Sequence, residues 1–178
     1  MRWFKAKKVV DDGNGIMLDI GCGGSKNEGW IGIDKRPLSG VDIIHDLEVF
    51  PYPLPDECAH IILASHILEH IKPWLSLDIM NELWRIMKPE GQLYIIVPYA
   101  GSHGYYQDPT HCNPWNESTL EYFDPDYPLY GIYLPKPWLI HEREFNPKHN
   151  LEVRMLKRAL ASEATVKIVE SGKMNSDI

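Results

Sequence analysis

Leu18-Asp19-Ile20-Gly21-Cys22-Gly23-Gly24, followed by Trp30-Ile31-Gly32-Ile33-Asp34, is the stretch that decides the architecture of this 178-residue chain. A short apolar run opening into clustered glycines reads as a buried strand and a tight turn, where bare backbone can approach a ligand closely. The second run ends in a carboxylate. Working outward, the predicted strands are 16–20, 30–33, 41–44, 60–64 and 92–97. None alternates strictly with polar residues, the pattern of strands buried on both faces of a parallel sheet. Between the last two, Ile79/Met80, Leu83/Trp84 and Met87 recur at helical spacing, and Lys88-Pro89-Glu90-Gly91 stops that helix with a turn. A shorter helix is predicted from Ser65, as N-cap, to Ile71, ending before Pro73. Strand and helix in alternation mean an α/β sheet with right-handed crossovers.

The character changes after Val97. Residues 98–138 hold seven of the 14 prolines, which excludes long regular elements there apart from a short helix near 116–123. Alternation returns at Trp138 and Ile140, then at Leu151, Val153 and Met155, on either side of the turn-forming run Asn146-Pro147-Lys148-His149-Asn150. That predicts an antiparallel hairpin closing the sheet edge. One domain over 1–160 is expected, with 98–137 inserted after strand five and 161–178 as a tail or an extra edge strand.

Composition narrows the class. With 44% hydrophobic and 24% charged residues the chain is that of a globular protein. It has no apolar run of membrane-spanning length and no signal-peptide core at its start, so a cytoplasmic monomer or homodimer away from membranes is expected. Three separated cysteines, Cys22, Cys58 and Cys112, give neither a disulfide framework nor a four-cysteine zinc site. Net charge is −7, but residues 11–135 carry six Lys/Arg against 19 Asp/Glu, while the flanking segments are basic. An acidic body disfavours extended nucleic acid, and basic ends suit a small anionic group.

Three successive strand ends carry chemistry. Gly21 and its neighbours supply a bare turn, Asp34 a carboxylate that can accept from both ribose hydroxyls, and Asp46-Leu47 a polar and an apolar group for a base edge. Gly21 and Asp34 are only 13 residues apart, against about 20 in a dinucleotide site. A phosphate-binding helix hardly fits in 25–29, which opposes an NAD or nucleotide-sugar oxidoreductase and favours a nucleoside without phosphates.

Leu18-Asp19-Ile20-Gly21-Cys22-Gly23 resembles the first motif of the class I S-adenosylmethionine-dependent methyltransferases. Asp34 matches their ribose-binding acid and Asp46-Leu47 their adenine-contact position. Ala64-Ser65-His66-Ile67-Leu68-Glu69-His70-Ile71 is similar to the post-strand-four motif of the type 11 branch, and Glu82-Leu83-Trp84-Arg85-Ile86-Met87-Lys88-Pro89-Glu90-Gly91 to its later turn. The resemblance covers about residues 16–98. It implies a Rossmann-like, mostly parallel seven-stranded sheet with its last strand antiparallel, S-adenosyl-L-methionine as cofactor and S-adenosyl-L-homocysteine as product. Two departures stand out: 24–30 replaces most of the first crossover helix, and only 15 residues precede the first strand. The cover over the acceptor is therefore expected from 98–137.

Under this resemblance the cofactor-binding set is Asp19, Gly21, Cys22, Gly23, Asp34, Lys35, Asp46, Leu47, Ser65 and His66. Asp19 would take the ammonium, Cys22 and the glycines would pack on the amino-acid arm, and Ser65 and His66 would open onto the methyl group. Glu69 and His70 are expected to brace neighbouring loops. The polar aromatic segment 101–111 is the expected source of acceptor contacts, with Tyr105, Tyr106, Asp108, His111 and Trp115 as substrate residues. Asp108-Pro109-Thr110-His111 resembles a run in a subset of these enzymes. His111 is the first candidate for general base, then His103 and His66. A metal held by His103, Asp108, His111 and Cys112 is opposed by their irregular spacing, and none is expected. The sequence thus reads as a methyltransferase acting on a small-molecule or glycan-like acceptor, at oxygen. The alternative is a non-catalytic cofactor-binding partner subunit.

Overall fold

In the computed structural model, which describes residues 15–145 and 150–160, the chain forms one seven-stranded sheet. The strands are β1 (Ile16–Ile20), β2 (Ile31–Asp34), β3 (Ile43–Ile44), β4 (Ala59–Ser65), β5 (Met87–Pro98), β6 (Trp138–Phe145) and β7 (Asn150–Lys157), in the order β3-β2-β1-β4-β5-β7-β6. The first five are parallel neighbours. β7 runs antiparallel between β5 and β6, the hairpin that the alternation predicts. Its connecting turn, 146–149, lies outside the described residues, as does the segment 161–178. Leu18, Ile20, Ile33, Ile62, Leu93 and Ile95 share one face of the sheet and are fully buried, while Met17, Ile61, Leu63, Tyr94 and Ile96 on the other are half-buried, so the expected burial on both faces is met on one only.

The crossovers differ from the predicted alternation. Among the described residues the only long helix is α1 (Ser76–Ile86), between β4 and β5; the connections among β1, β2, β3 and β4 are loops. Local chemistry explains this. Pro51, Pro53 and Pro55 crowd the stretch before β4. In the β1–β2 connection, Lys26 pairs with Asp42 and donates to the Trp30 carbonyl oxygen at 3.0 Å, which holds the loop flat against β2 and β3. α1 buries Ile79, Met80, Leu83 and Ile86, opens with Asp78 in its first turn and closes with Arg85 in its last, in accord with the helix dipole.

Two boundaries are corrected. Ser65 is no N-cap: it is the last residue of β4, and His66 follows with φ of 53°. That left-handed residue breaks any continuous helix, so a single 3-10 turn, Leu68–His70, stands where the longer helix is predicted. Met87 belongs to β5, not to the helix. Ala59 pairs with Met87 and Ile61 with Gln92, so 88–91 bulge out of the ladder, with Glu90 at φ of 62°.

Between β5 and β6 lie three short helices, α2 (His103–Tyr106), α3 (Glu117–Glu121) and α4 (Tyr130–Tyr133). Asn116 starts α3 through a capping box with Thr119. Buried Asp124 accepts from the Ile140 amide at 2.7 Å and fastens this segment to β6. No helix among the described residues is long and apolar enough to cross a membrane.

Under α1, buried Glu82 accepts from the Tyr52 amide at 2.6 Å and from Arg85 Nη2 and Nε at 2.6 and 2.9 Å. Arg85 also donates to the Leu54 carbonyl oxygen at 3.1 Å, so the pair staples the 46–57 loop to the helix. Burial pushes the Glu82 carboxyl up, but its bonds from Arg85 and Tyr52 outweigh this and hold it below its ordinary 4.5. A depressed carboxylate stabilises the fold fully above its unfolded value and ceases to as pH falls through the lower folded value. Glu82→Ala should therefore cost about 2–4 kcal/mol in urea denaturation at neutral pH, because the Tyr52 amide and Arg85 lose their partner. The difference from wild type should shrink in acid, below 4.5.

Candidate active site

The carboxyl ends of the parallel strands meet around one open cavity of about 370 Å³, within the range of small-molecule sites. β1 contributes Gly21, β2 Asp34, and the segment after β3 Asp46 and Leu47. The turn after β4 closes the opposite side with His66, Ile67 and His70.

Gly21 is where the chain has no room for a side chain. Its φ is 68°, and a Cβ there would lie 2.4 Å from Ile67 Cγ1. The β1 turn and the turn after β4 thus press backbone against side chain, and the bare Gly21 peptide forms part of the cavity wall. Gly23 has φ of 57° but faces only Arg36 Nη2, at 3.5 Å.

Asp34 is the electrostatic anchor. It is buried at the tip of β2, and its Oδ2 accepts from the Gly23 amide at 2.9 Å. Oδ1 accepts from the Arg36 amide at 2.8 Å and from Arg36 Nε at 3.1 Å, while Nη2 reaches Oδ2 at 3.2 Å. Burial pushes this carboxyl up, but the bonds from Arg36 and Gly23 hold it below its ordinary 3.8. The Arg36 side chain is 60% exposed, so it covers the carboxylate from the solvent side and can leave it.

Of the residues singled out in the sequence, Gly21, Asp34, Lys35, Asp46, Leu47 and His66 line this cavity together. Others lie beside it. Asp19 sits within β1; burial raises its carboxyl against the lowering effect of an Asn27 amide and Lys26. The Cys22 thiol packs toward β2, 2.6 Å from where a Cβ on Gly32 would be, and burial with the charges of Asp19 and Asp34 pushes it up to about 11. It is a neutral packing group at physiological pH. Ser65 ends β4 and is not among the lining residues.

The 101–111 segment places its residues unevenly. Trp115 is fully buried in the core, stacked on Phe123 with ring centroids 6.3 Å apart. Tyr106 and His103 are exposed, and Tyr105 is buried with its ring 5.6 Å from that of His111. None of these lines the cavity; of this run, Thr110 does. The run is held there because the Cys112 and Asn113 amides both donate to the Glu69 carbonyl oxygen, at 2.9 and 3.1 Å. Asn113 Nδ2 adds a bond to the Leu68 carbonyl oxygen at 3.3 Å. Asp108 caps its own turn, accepting from Thr110 N and Oγ1 at 2.8 and 2.7 Å. Those two bonds lower its carboxyl below the ordinary value.

His66 and His70 are the two imidazoles that line the cavity, and the His66 side chain is 51% exposed. Its Nδ1 lies 3.4 Å from Glu69 Oε1, and that carboxylate raises its pKa. His111 is turned inward with a side chain 8% exposed. Sequence reasoning missed Arg36, Ile67 and Thr110 as lining residues. Arg36 carries a legible signal, a cation two residues beyond a strand-end acid; Ile67 carries none, since its position follows from the left-handed residue before it.

The strand order and the antiparallel β7 define the fold of the class I S-adenosylmethionine-dependent methyltransferases, and the likeness to solved structures agrees. A SAM-dependent methyltransferase from Archaeoglobus fulgidus superposes with a TM-score of 0.55 at 19% identity, covering 79% of this chain and 85% of that one. The 16S rRNA (adenine(1408)-N(1))-methyltransferase W203A variant from Catenulisporales acidiphilia, solved with cosubstrate SAM, gives 0.56 at 14% identity over 83% and 86%. A chain from the Haloferax volcanii complex between the Trm112 methyltransferase activator and a methyltransferase gives 0.59 at 11% over 82% and 84%. The sequence matches no protein-family model and no curated protein. At these identities the likeness is one of fold.

Gly21→Ala should destabilise the chain by about 2–4 kcal/mol, since strain at positive φ and the collision with Ile67 add. Gly23→Ala should cost about 1–2 kcal/mol, the strain alone. Thermal unfolding of the two variants side by side measures the difference, and equal losses would remove the collision from the account.

Proposed function

We propose that this chain is an S-adenosyl-L-methionine-dependent methyltransferase that methylates a small-molecule or glycan-like acceptor at oxygen. The observation that supports it most is the convergence of Gly21, Asp34 and Asp46-Leu47 on one cavity at the carboxyl ends of successive parallel strands. In this reading the ribose hydroxyls donate to Asp34 in place of the Arg36 guanidinium. The adenine edge meets Asp46 and Leu47, and the amino-acid arm crosses the bare Gly21 peptide. An anionic pocket suits a ligand whose sulfonium and ammonium are both cationic.

Transfer itself asks little of the protein beyond alignment. The cofactor would supply a methyl group already activated on a sulfonium and leave as a neutral thioether once an acceptor oxygen takes that methyl. A hydroxyl acceptor must also lose a proton. His66 takes that role here in preference to His111, because its ring faces the cavity while His111 is turned inward. His70 and Thr110 bound the rim where the acceptor enters. The loop that replaces a first crossover helix leaves a pyrophosphate without its usual partner, which argues against dinucleotides.

Calorimetry with S-adenosylmethionine, S-adenosylhomocysteine and NAD in parallel tests the reading: the first two should bind and NAD should not. Asp34→Ala should weaken S-adenosylhomocysteine by about 1.5–3 kcal/mol, the loss of a charge-assisted contact. Asp34→Asn, which keeps an acceptor for the Gly23 amide, should lose less. Binding of NAD alone, or undiminished affinity in folded Asp34→Ala, would remove the proposal.

A further inference from the structure

Glu69 is the least accommodated charge in the described chain. It is completely buried, and neither carboxylate oxygen has a hydrogen-bond partner. Its nearest cation-capable neighbours are His66 Nδ1 at 3.4 Å and His111 Nε2 at 3.9 Å, both on Oε1. A carboxylate taken out of water is normally paired, neutralised or bound to a metal. One donor atom from each of Glu69, His70 and His111 lies within 4.8 Å of the other two. Asp108 Oδ2 stands 3.9 Å from His111 Nε2 and offers a fourth.

The surrounding hydrogen bonds set both rings for ligation. His111 Nδ1 bonds the Tyr105 carbonyl oxygen at 2.8 Å. A carbonyl only accepts, so Nδ1 donates to it, and in the neutral ring the lone pair is on Nε2, the atom 3.9 Å from Glu69 Oε1. His70 Nδ1 bonds Thr110 Oγ1 at 3.0 Å. That hydroxyl already donates to Asp108 Oδ1 at 2.7 Å, so His70 Nδ1 donates to it, and in the neutral ring the lone pair is again on Nε2. An imidazole whose second nitrogen donates to an oxygen is the usual state of a metal ligand. The two rings stand edge to face, centroids 4.7 Å apart, on segments that the Cys112 and Asn113 amides lock to the Glu69 carbonyl oxygen.

We infer that Glu69, His70 and His111 bind a first-row divalent cation of the zinc class, with Asp108 closing the fourth position. Two imidazoles with carboxylates select such ions over magnesium or calcium, which prefer all-oxygen sites. Zinc bonds of about 2.0–2.2 Å require the Glu69, His70 and His111 donors, now within 4.8 Å of one another, to draw in when the ion binds, and Asp108 to swing toward them. His70 also lines the cavity, so the ion borders the space where the acceptor enters. Its use there, polarising an acceptor oxygen beside His66, rests on the methyltransferase reading; the binding does not.

The test uses the full untagged chain, stripped with a chelator and titrated with zinc chloride by calorimetry in the absence of cofactor and acceptor. One zinc per chain should bind, and His70→Ala and His111→Ala should each weaken it tenfold or more. Cobalt(II) in the wild-type protein gives a readout that needs no variant. Visible d–d bands of a four- or five-coordinate nitrogen–oxygen site are expected, without the intense near-ultraviolet band of a thiolate ligand, and Cys112→Ser should leave them unchanged. Absence of stoichiometric zinc binding, an aquo-like cobalt spectrum, a thiolate band, or full affinity in folded His70→Ala and His111→Ala would each overturn the inference. Zinc binding without binding of S-adenosylhomocysteine would keep the metal site and remove the methyltransferase reading.

Discussion

The contact between Asp34 and the Gly23 amide organises everything else at the carboxyl end of the sheet. It links the turn after β1 to the tip of β2, two segments joined covalently only through a ten-residue loop without regular structure. In a doubly wound fold with a full first crossover helix, that helix packs the turn into place. Here a charge-assisted hydrogen bond of 2.9 Å, the Cys22 amide bond to the Ile33 carbonyl oxygen at 3.1 Å and the approach of Gly21 to Ile67 hold it. The carboxylate is buried and ionised at once, a state that depends on the donors around it. Arg36 supplies two of these donors from the solvent side, and the Gly23 and Arg36 amides supply the other two.

Loss of the crossover helices shifts the burden of rigidity to side-chain staples. Glu82 and Arg85 hold the 46–57 loop against α1, and with it the Asp46-Leu47 wall of the cavity. Tyr52 reinforces this by donating its hydroxyl to the Leu47 carbonyl oxygen at 3.0 Å. Lys26 and Asp42 do the same between the β1–β2 loop and β3. Each staple is a buried or half-buried polar contact, and each replaces apolar helix–sheet packing that a longer chain would use. The arrangement keeps the cavity walls defined while leaving them as loops, the usual carriers of ligand specificity.

The parallel strands and the terminal hairpin were legible because they rest on local patterns: unbroken apolar runs for β1 to β5 and alternation for β6 and β7. So were Gly21, Asp34 and Asp46-Leu47, since strand ends converge in this topology whatever connects them. The missing helices were half legible. The short 24–30 stretch is visible as a deficit, but the flat course of the loop depends on Lys26 finding Asp42, sixteen residues away. Ser65 misled because a good N-cap residue says nothing of the backbone after it, and His66, left-handed there, turns Ile67 against Gly21. Trp115 misled too: read as an acceptor contact, it fills the core beneath that loop beside Phe123.

The Glu69 region was the least legible part, and the reason is geometric. Its donors come from two segments forty residues apart, so no spacing rule could assemble them, and the residues that the sequence does cluster, His103 and Cys112, are the ones outside the three-residue group. What brings the group together is backbone: the 3-10 turn after β4 presents one carbonyl oxygen, and the loop after β5 folds onto it through two consecutive amides. Those bonds fix the distance between the turn and the loop independently of the side chains above them. The Glu69 side chain stands on this backbone joint, buried between His66 and His111, so its placement follows from the two amides rather than from any spacing in the sequence.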